Sequence, residues 1–320
     1  MELLNVENLK MYYETVRGYV KAVDDVSFKV DAKDSLGLAG ESGCGKTSAA
    51  LSIIRLLPSN GRIIDGRITM GDENIVELSD KELRKRIRWK KISMIFQGAM
   101  NALHPTYTIG HQIAEAILQH ENVSKNEALE RAEKLIELVG MKGDRIKRYP
   151  HELSGGMKQR SVTAMALACN PELIIADEPT TALDVIVAAQ VLNAMKDLRS
   201  RLDLAMIVIS HDLSMIAEIC DKIAIMYAGK IVEHGDVVSV YKEAEHPYTE
   251  KLITAFPSVL GPKTELSSIH GFPPDLLIPP SGCRFHPRCP YTMEICKTSE
   301  PKLIETGRKG HYVACHLYGR

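Results

Sequence analysis

"GESGCGKT", residues 40–47, is the stretch on which the reading of this chain turns. It follows a short apolar run, "SLGLAG" (35–40), and precedes a segment able to form a helix. Strand, glycine-rich bend and helix start fit the phosphate-loop pattern G-x-x-x-x-G-K-[ST] without departure. Gly40, Gly43 and Gly45 remove side chains where the backbone must bend so that successive N–H groups face phosphate oxygens. The helix starting near Lys46 directs the positive end of its dipole to the same place. Lys46 would neutralise the β- and γ-phosphates of a nucleotide, and the Thr47 hydroxyl would sit on Mg²⁺. The candidate cradle is Gly40, Glu41, Ser42, Gly43, Cys44, Gly45, Lys46, Thr47 and Ser48. Cys44 reads as a small spacer; the sharper alternative is a thiol activated by the helix N-terminus.

A second half of a phosphate site lies downstream in "LIIADE" (173–178). Asp177, ending a buried strand, fits the carboxylate on the Mg²⁺ side. Successive strand residues point to opposite sides, so Glu178 fits a general base or water-orienting group instead. "AMIVIS" (205–210) is another short apolar run ended by a polar residue. Such runs, alternating with helix-like segments, predict an α/β fold with buried parallel strands. Ser124 to Gly140 reads as a capped helix: Ser124 and Glu127 can form a capping box, and Leu129, Ala132, Leu135 and Val139 share a face. "IAIMYAGKIVEHG" (223–235) reads as a hairpin turning at Ala228-Gly229-Lys230.

Bulk numbers narrow the class. The chain has 320 residues, 45% hydrophobic and 25% charged, with a net charge of -1, so no global basic field calls for nucleic acid. The basic run "KELRKRIRWKK" (81–91) reads as a solvated helix face. No apolar run reaches the ~18–20 residues of a membrane span. "MELLNVENLKMYYE" lacks the features of a secretory signal. The expectation is a soluble, intracellular protein that meets membranes through partners. Composition shifts near residue 242: ten of fifteen prolines and four of seven cysteines lie beyond it.

"LSGGMKQR" (153–160) specifies the kind of NTPase. Its glycines allow close approach to an anion, and Ser154 can cap the following helix and donate to phosphate. Together with Gly40–Thr47, Gln97, "LIIADE", "TALD" (181–184) and His211, in this order and spacing, it resembles the nucleotide-binding subunit of an ABC transporter over roughly residues 1–240. The resemblance implies a P-loop NTPase with a RecA-like core, an antiparallel β subdomain and a helical subdomain at about 98–165, together forming an ATPase domain, 1–241. It implies that Tyr13 stacks on adenine, with Tyr12 and Tyr19 as rivals, and that Gln97 touches Mg²⁺ and the attacking water. Ser154, Gly155 and Gly156 would contact ATP held by an opposite subunit, and Asp184 would stabilise that shared interface. His211 would bind the γ-phosphate, with Glu178 as base. A soluble ABC ATPase working on ribosomes or DNA is the rival reading; such relatives carry two cores per chain or a long coiled-coil insertion, and this chain has neither.

The tail adds a second resemblance. "HPYTEKL" (246–252), "GFPPDLLIPPSGCRFHPRCP" (271–290) and "HYVACH" (311–316) are similar to the C-terminal extension of dipeptide and oligopeptide permease ATPases. The domain division is thus 1–241 and a proline-rich extension, 242–320. One departure is Gly98 in "FQGAMNALHP" (96–105), where many relatives place an acid; it leaves peptides, oligosaccharides and nickel as substrates. Cys283, Cys289, Cys296 and Cys315 suggest a metal staple, because disulfides are rare where ATP is used. Their spacing alone leaves Zn²⁺ and a [4Fe–4S] cluster equally open; the resemblance favours the cluster. His286, His311 and His316 are substitute ligands. The implied partners are a second, different ABC ATPase subunit, two integral membrane permeases and, indirectly, an extracellular solute-binding protein. Nucleic acid is not among them. The implied location is peripheral, on the cytoplasmic face of the cell membrane.

Overall fold

Alternation of buried and exposed residues, as in Val26, Ser27, Phe28, Lys29 and Val30, gives one face of the strand Gly18–Asp31 to a core and the other to water. A computed structural model describes residues 1–181, 183–255 and 269–318 of the chain. Ala182 of "TALD" and residues 256–268 and 319–320 of the extension lie outside the described residues. Packing divides the chain into two units: Met1 with residues 31–35 and 77–209, and residues 2–30, 36–76 and 210–320.

The second of these holds a four-stranded sheet in the order Gly18–Asp31, Glu2–Thr15, Gly61–Met70, Glu73–Asn74. Glu2–Thr15 and Gly61–Met70 run antiparallel, with the register shifting between Glu7 and Lys10. In the same unit, Ser35–Ala39 pairs in parallel with Lys222–Tyr227, Leu36 facing Lys222 and Ala39 facing Ile225. Lys222–Tyr227 returns antiparallel as Lys230–Asp236. The hairpin turn is two residues long, since Ala228 (φ 49°) and Gly229 (φ 82°) both take left-handed backbone. That is the geometry whose twist matches a hairpin.

The extension continues this sheet. Tyr312–Val313 adds to the free edge of Lys230–Asp236, and Ile304–Glu305 adds beyond it. The composition break at residue 242 has no counterpart in the packing, because residues on both sides of it fall in one unit. The extension shares its core with the strands it joins. Tyr227, Tyr248 and Phe285 are almost completely buried, with ring centroids 4.7 to 5.4 Å apart. Each such burial is worth about 1.5–3 kcal/mol before entropy is counted. Glu233, fully buried, accepts from the backbone N–H of Glu245 (2.8 Å) and His246 (3.0 Å) and from His311 Nε2 (2.8 Å). The tail therefore hangs on aromatic packing and a satisfied buried carboxylate.

In the other unit, three parallel strands stand in the order Ala205–Ser210, Leu173–Asp177, Ile92–Ile95. Leu173–Asp177 and Ala205–Ser210 are buried throughout, as apolar runs in a parallel sheet should be. Helices Ile109–His120, Lys125–Leu138, Gly155–Ala166 and Val185–Leu202 belong to the same unit. Ser124 caps the second of these, its Oγ accepting from Glu127 N at 3.2 Å, and Gly140 ends it with φ 78°. The buried face differs from the expected one: Ala128 and Ile136 join Ala132, Leu135 and Val139, while Leu129 is only half-buried. The basic run forms a short helix, Asp80–Glu82, and a π-helical turn, Leu83–Ile87. Only Leu83 and Ile87 of these are buried, and Arg84, Lys85 and Arg86 face water as expected, whereas the Arg88 side chain is 13% exposed and lies 3.8 Å from Asp80.

No helix among the described residues is long and apolar enough to cross a membrane.

Candidate nucleotide site

The phosphate loop leaves Ser35–Ala39 through Gly40 (φ 146°) and enters the helix Lys46–Ile53 through Gly45 (φ 107°). A β-carbon at Gly40 would collide with the carbonyl oxygen of Met226, and one at Gly45 with that of Ala22. Both glycines are thus demanded twice, by backbone conformation and by close packing. Lys46, 7% exposed, donates from Nζ to Gly40 O (2.7 Å) and Glu41 O (3.0 Å). Its ammonium is held at the mouth of the loop by the loop's own carbonyls. Thr47 is exposed beside it and Ser48 is buried. Cys44 points inward: burial raises its thiol pKa despite the nearby Lys46 ammonium. The spacer reading fits that environment, and an activated thiol does not.

Three tyrosines were candidates for the adenine platform, and their surroundings separate them. Tyr12 donates its hydroxyl to Asp24 Oδ1 at 2.7 Å, and Asp24 also pairs with Arg284. Tyr19 lies 48% exposed. Tyr13 is hydrogen-bonded to Ser48 Oγ at 2.9 Å, on the first turn of the phosphate-loop helix. Of the three, Tyr13 is the one tied to the cradle. His211 is exposed immediately before Asp212, which caps the helix Leu213–Ile219 by accepting from Ser214 N (2.9 Å) and Met215 N (3.3 Å).

The remaining site residues belong to the unit of parallel strands. Asp177 ends its strand at 1% exposure. Glu178 does not continue the strand: it turns to φ 49°, an uncommon conformation for a residue with a side chain, and its N–H donates to Ile209 O at 2.9 Å. The two carboxylates part ways through this left-handed step, whereas strand alternation had been the expected cause. Thr181 Oγ1 donates to Glu178 Oε2 at 3.3 Å. Gln97 is exposed just beyond Ile92–Ile95. Gly98 follows with φ 67°, so an acid there would have to adopt left-handed backbone.

Ser154 is the N-cap of Gly155–Ala166, its Oγ accepting from Met157 N at 3.4 Å. Ser154 and Gly155 are exposed, and Gly156 is buried. A β-carbon at Gly156 would collide with Val187 Cγ1, so this glycine lets two helices approach. Asp184 caps the helix Val185–Leu202 by accepting from Val187 N at 2.9 Å. Val185 and Ile186, next to it, are 85% and 72% exposed.

Cys283, Cys289, Cys296 and Cys315 all line one small cavity, with His246, His286 and His316 at its wall. Burial, with the other thiols adding, raises the Cys283 pKa to about 11, and burial likewise raises Cys289 and Cys315. Among the described residues no three His, Cys, Asp or Glu side chains close to a metal-holding group. The expected staple is therefore a convergence of thiols and not a formed ligand cage. His311 does not line this cavity; its Nε2 bonds to Glu233, and its Nδ1 is buried without a hydrogen-bond partner among the described residues. His316 Nε2 bonds to Ser299 O (2.9 Å) and His286 Nδ1 to Cys283 O (2.9 Å).

Sequence reasoning missed Arg288, Tyr248 and the partner role of Glu41 outside its motif. Arg288 pairs with Glu41 across 247 residues of chain. No local pattern signals a pairing at that separation.

Comparison with known proteins follows the same residues. Residues 23–181 match the family described as ABC transporter, and residues 232–296 match the oligopeptide/dipeptide transporter C-terminal region. The chain is 44% identical to the oligopeptide transport ATP-binding protein AppD of Bacillus subtilis, over 99% of this chain and 97% of that one. It is 45% identical to the dipeptide transport ATP-binding protein DppD of the same organism, covering 99% and 95%. With the oligopeptide transport ATP-binding protein OppD of Escherichia coli the identity is 44%, covering 98% and 92%. Among solved structures, the dimeric ATP-binding cassette MJ0796 in a post-hydrolysis state with ADP and Pi superposes with a TM-score of 0.65. That match has 25% identity and covers 73% of this chain and 99% of the cassette.

Proposed function

Since this chain belongs to the ABC transporter family, as the ATP-hydrolysing subunit of a dipeptide/oligopeptide importer, we propose how its residues divide the work. Backbone N–H groups of Gly40–Ser48 would cradle the phosphates, and Lys46 would leave its loop carbonyls to meet them. Thr47, Gln97 and Asp177 would hold Mg²⁺, which supplies charge neutralisation at the β- and γ-phosphates. Tyr13 would carry the adenine. Glu178 would take the proton of the attacking water, with Gln97 orienting that water and His211 steadying the γ-phosphate.

Ser154, Gly155 and Gly156 would close over ATP held by a second ATPase subunit, with Asp184 at the shared interface. The observation that supports this assignment is the exposed, helix-starting Ser154-Gly155 together with Val185 and Ile186, apolar side chains that face water. The second subunit is read as a related but different chain. Both would dock on two integral membrane permeases at the cytoplasmic face, served outside by a solute-binding protein. Residues 1–241 would form the ATPase body, with 98–165 as its helical part, and 242–320 the appendage. Di- and oligopeptides are the cargo read here, over the oligosaccharides or nickel that Gly98 alone left open in the sequence.

The four cysteines would hold a [4Fe–4S] cluster, with Zn²⁺ the alternative. What supports this is that all four face one cavity in a proline-rich segment. Protein purified without oxygen should be brown and contain iron and sulfide. A colourless preparation with one zinc per chain would sink the cluster.

Glu178→Gln tests the catalytic reading. It should bind ATP and hold the closed subunit pair while hydrolysis falls at least a hundredfold, in the range usual for losing a general base. Hydrolysis near the wild-type rate would remove Glu178 from that role.

A further inference from the structure

Arg288, in the extension, leaves none of its five N–H groups for water. Nη1 donates to Glu41 Oε2 (2.7 Å) and Tyr227 Oη (3.4 Å), and Nη2 to Glu41 Oε1 (3.0 Å) and Ile269 O (3.4 Å). Nε donates to His270 O at 3.0 Å. The guanidinium also lies 5.7 Å from the centre of the Tyr227 ring, and the side chain is 5% exposed. This is a rigid, desolvated fork, the geometry in which arginine–carboxylate pairing is strongest.

Its target is the second residue of the phosphate loop. The same residue is gripped again, because Glu41 N donates to the hydroxyl of Tyr248 at 2.9 Å. Tyr248 is fully buried against Tyr227 and Phe285, so its hydroxyl is a fixed point. A carboxylate beside a cradle built for phosphates is a like charge in the wrong place. Held by two guanidinium donors, it is neutralised and turned aside.

We propose that Arg288 and Tyr248 are positioning residues of the phosphate-binding loop, through which the extension sets the affinity for ATP. Arg288 cancels the Glu41 carboxylate and Tyr248 fixes the Glu41 amide, so the loop meets the nucleotide already shaped. This rests on the reading of Gly40–Ser48 as the nucleotide cradle. Neither residue lies in a nucleotide motif.

The test is equilibrium titration of the full chain with a fluorescent ATP analogue and Mg²⁺, beside the thermal unfolding midpoint of each variant. Arg288→Gln should raise the dissociation constant roughly three- to tenfold at low salt. The loss should shrink as salt screens the freed carboxylate. In the Glu41→Gln background the same change should cost less than about twofold, because the charge to be cancelled is gone. Arg288→Lys, which keeps the charge, should recover most of the affinity. Tyr248→Phe keeps the ring and should weaken binding severalfold with little change in unfolding midpoint; it serves if Arg288→Gln does not fold.

Wild-type affinity in both Arg288→Gln and Tyr248→Phe would overturn the proposal. So would an equal loss from Arg288→Gln with and without Glu41, which marks a plain structural staple. Lys46→Ala is the separate control. If it binds the analogue as wild type does, the cradle reading itself fails, whatever Arg288 does.

Discussion

His234 shows how one residue can tie stability to pH. It sits in the strand Lys230–Asp236, facing Tyr312, with its Nε2 enclosed and without a hydrogen-bond partner. Burial first, then Lys222 and His311, lower its pKa to about 4, from an ordinary value near 6.5. Above pH 6.5 the imidazole is neutral folded and unfolded, and its contribution is fully present. Between pH 6.5 and 4 the unfolded chain takes up a proton that the folded one refuses, so stability falls as the pH falls. The expected loss is on the order of 2 kcal/mol by pH 4, after discounting for the part of the ring that water reaches. Unfolding midpoints measured from pH 7.5 to 4.5 should drop less steeply in His234→Gln; an unchanged slope would mean another group carries it. At this scale the sequence was informative wherever chemistry is local: Gly40 and Gly45 take the left-handed backbone their spacing suggested, and the Lys46 ammonium lies against the same loop. It misjudged the backbone at Glu178, expecting strand alternation where the chain makes a left-handed turn that depends on where the Glu178 N–H meets Ile209 O.

At the scale of elements, the buried strands, the capped helix after Ser124 and the hairpin at Ala228-Gly229 were all readable, because each obeys a short-range rule. The burial face of Lys125–Leu138 was not, since neighbouring helices decide whether Ala128 or Leu129 turns inward. Asp184 illustrates two demands on one side chain. In this subunit it caps Val185–Leu202, and in the assembly it is proposed to serve the interface. Asp184→Asn keeps a good cap and removes the charge, whereas Asp184→Ala loses both, at a cost of about 1 kcal/mol. The unfolding midpoint should fall only in Asp184→Ala. ATP-dependent pairing with the second subunit, followed by light scattering, should weaken in both. Full pairing in Asp184→Asn would leave the carboxylate a cap and nothing else.

For the whole molecule, the largest gap between sequence and structure is the extension. Its prolines and cysteines suggested a tail needing a metal to hold it. The packing instead runs Tyr248, Phe285, Val313 and Ala314 into a core shared with Tyr227 and Val232. Composition reports what a segment can bury alone; it cannot report a core borrowed from strands far away in sequence. The same limit hid Arg288 from any reading of the phosphate loop. The account as a whole holds that one copy of this chain carries an unfinished active site. The direct measurement is ATP hydrolysis per subunit as the purified chain is diluted, with and without its partner subunit and with Ser154→Trp supplied in either. Turnover should vanish on dilution of the lone chain, return with the partner, and fall when Trp replaces Ser154. Brisk, dilution-independent hydrolysis by the lone chain, untouched by Ser154→Trp, would contradict it.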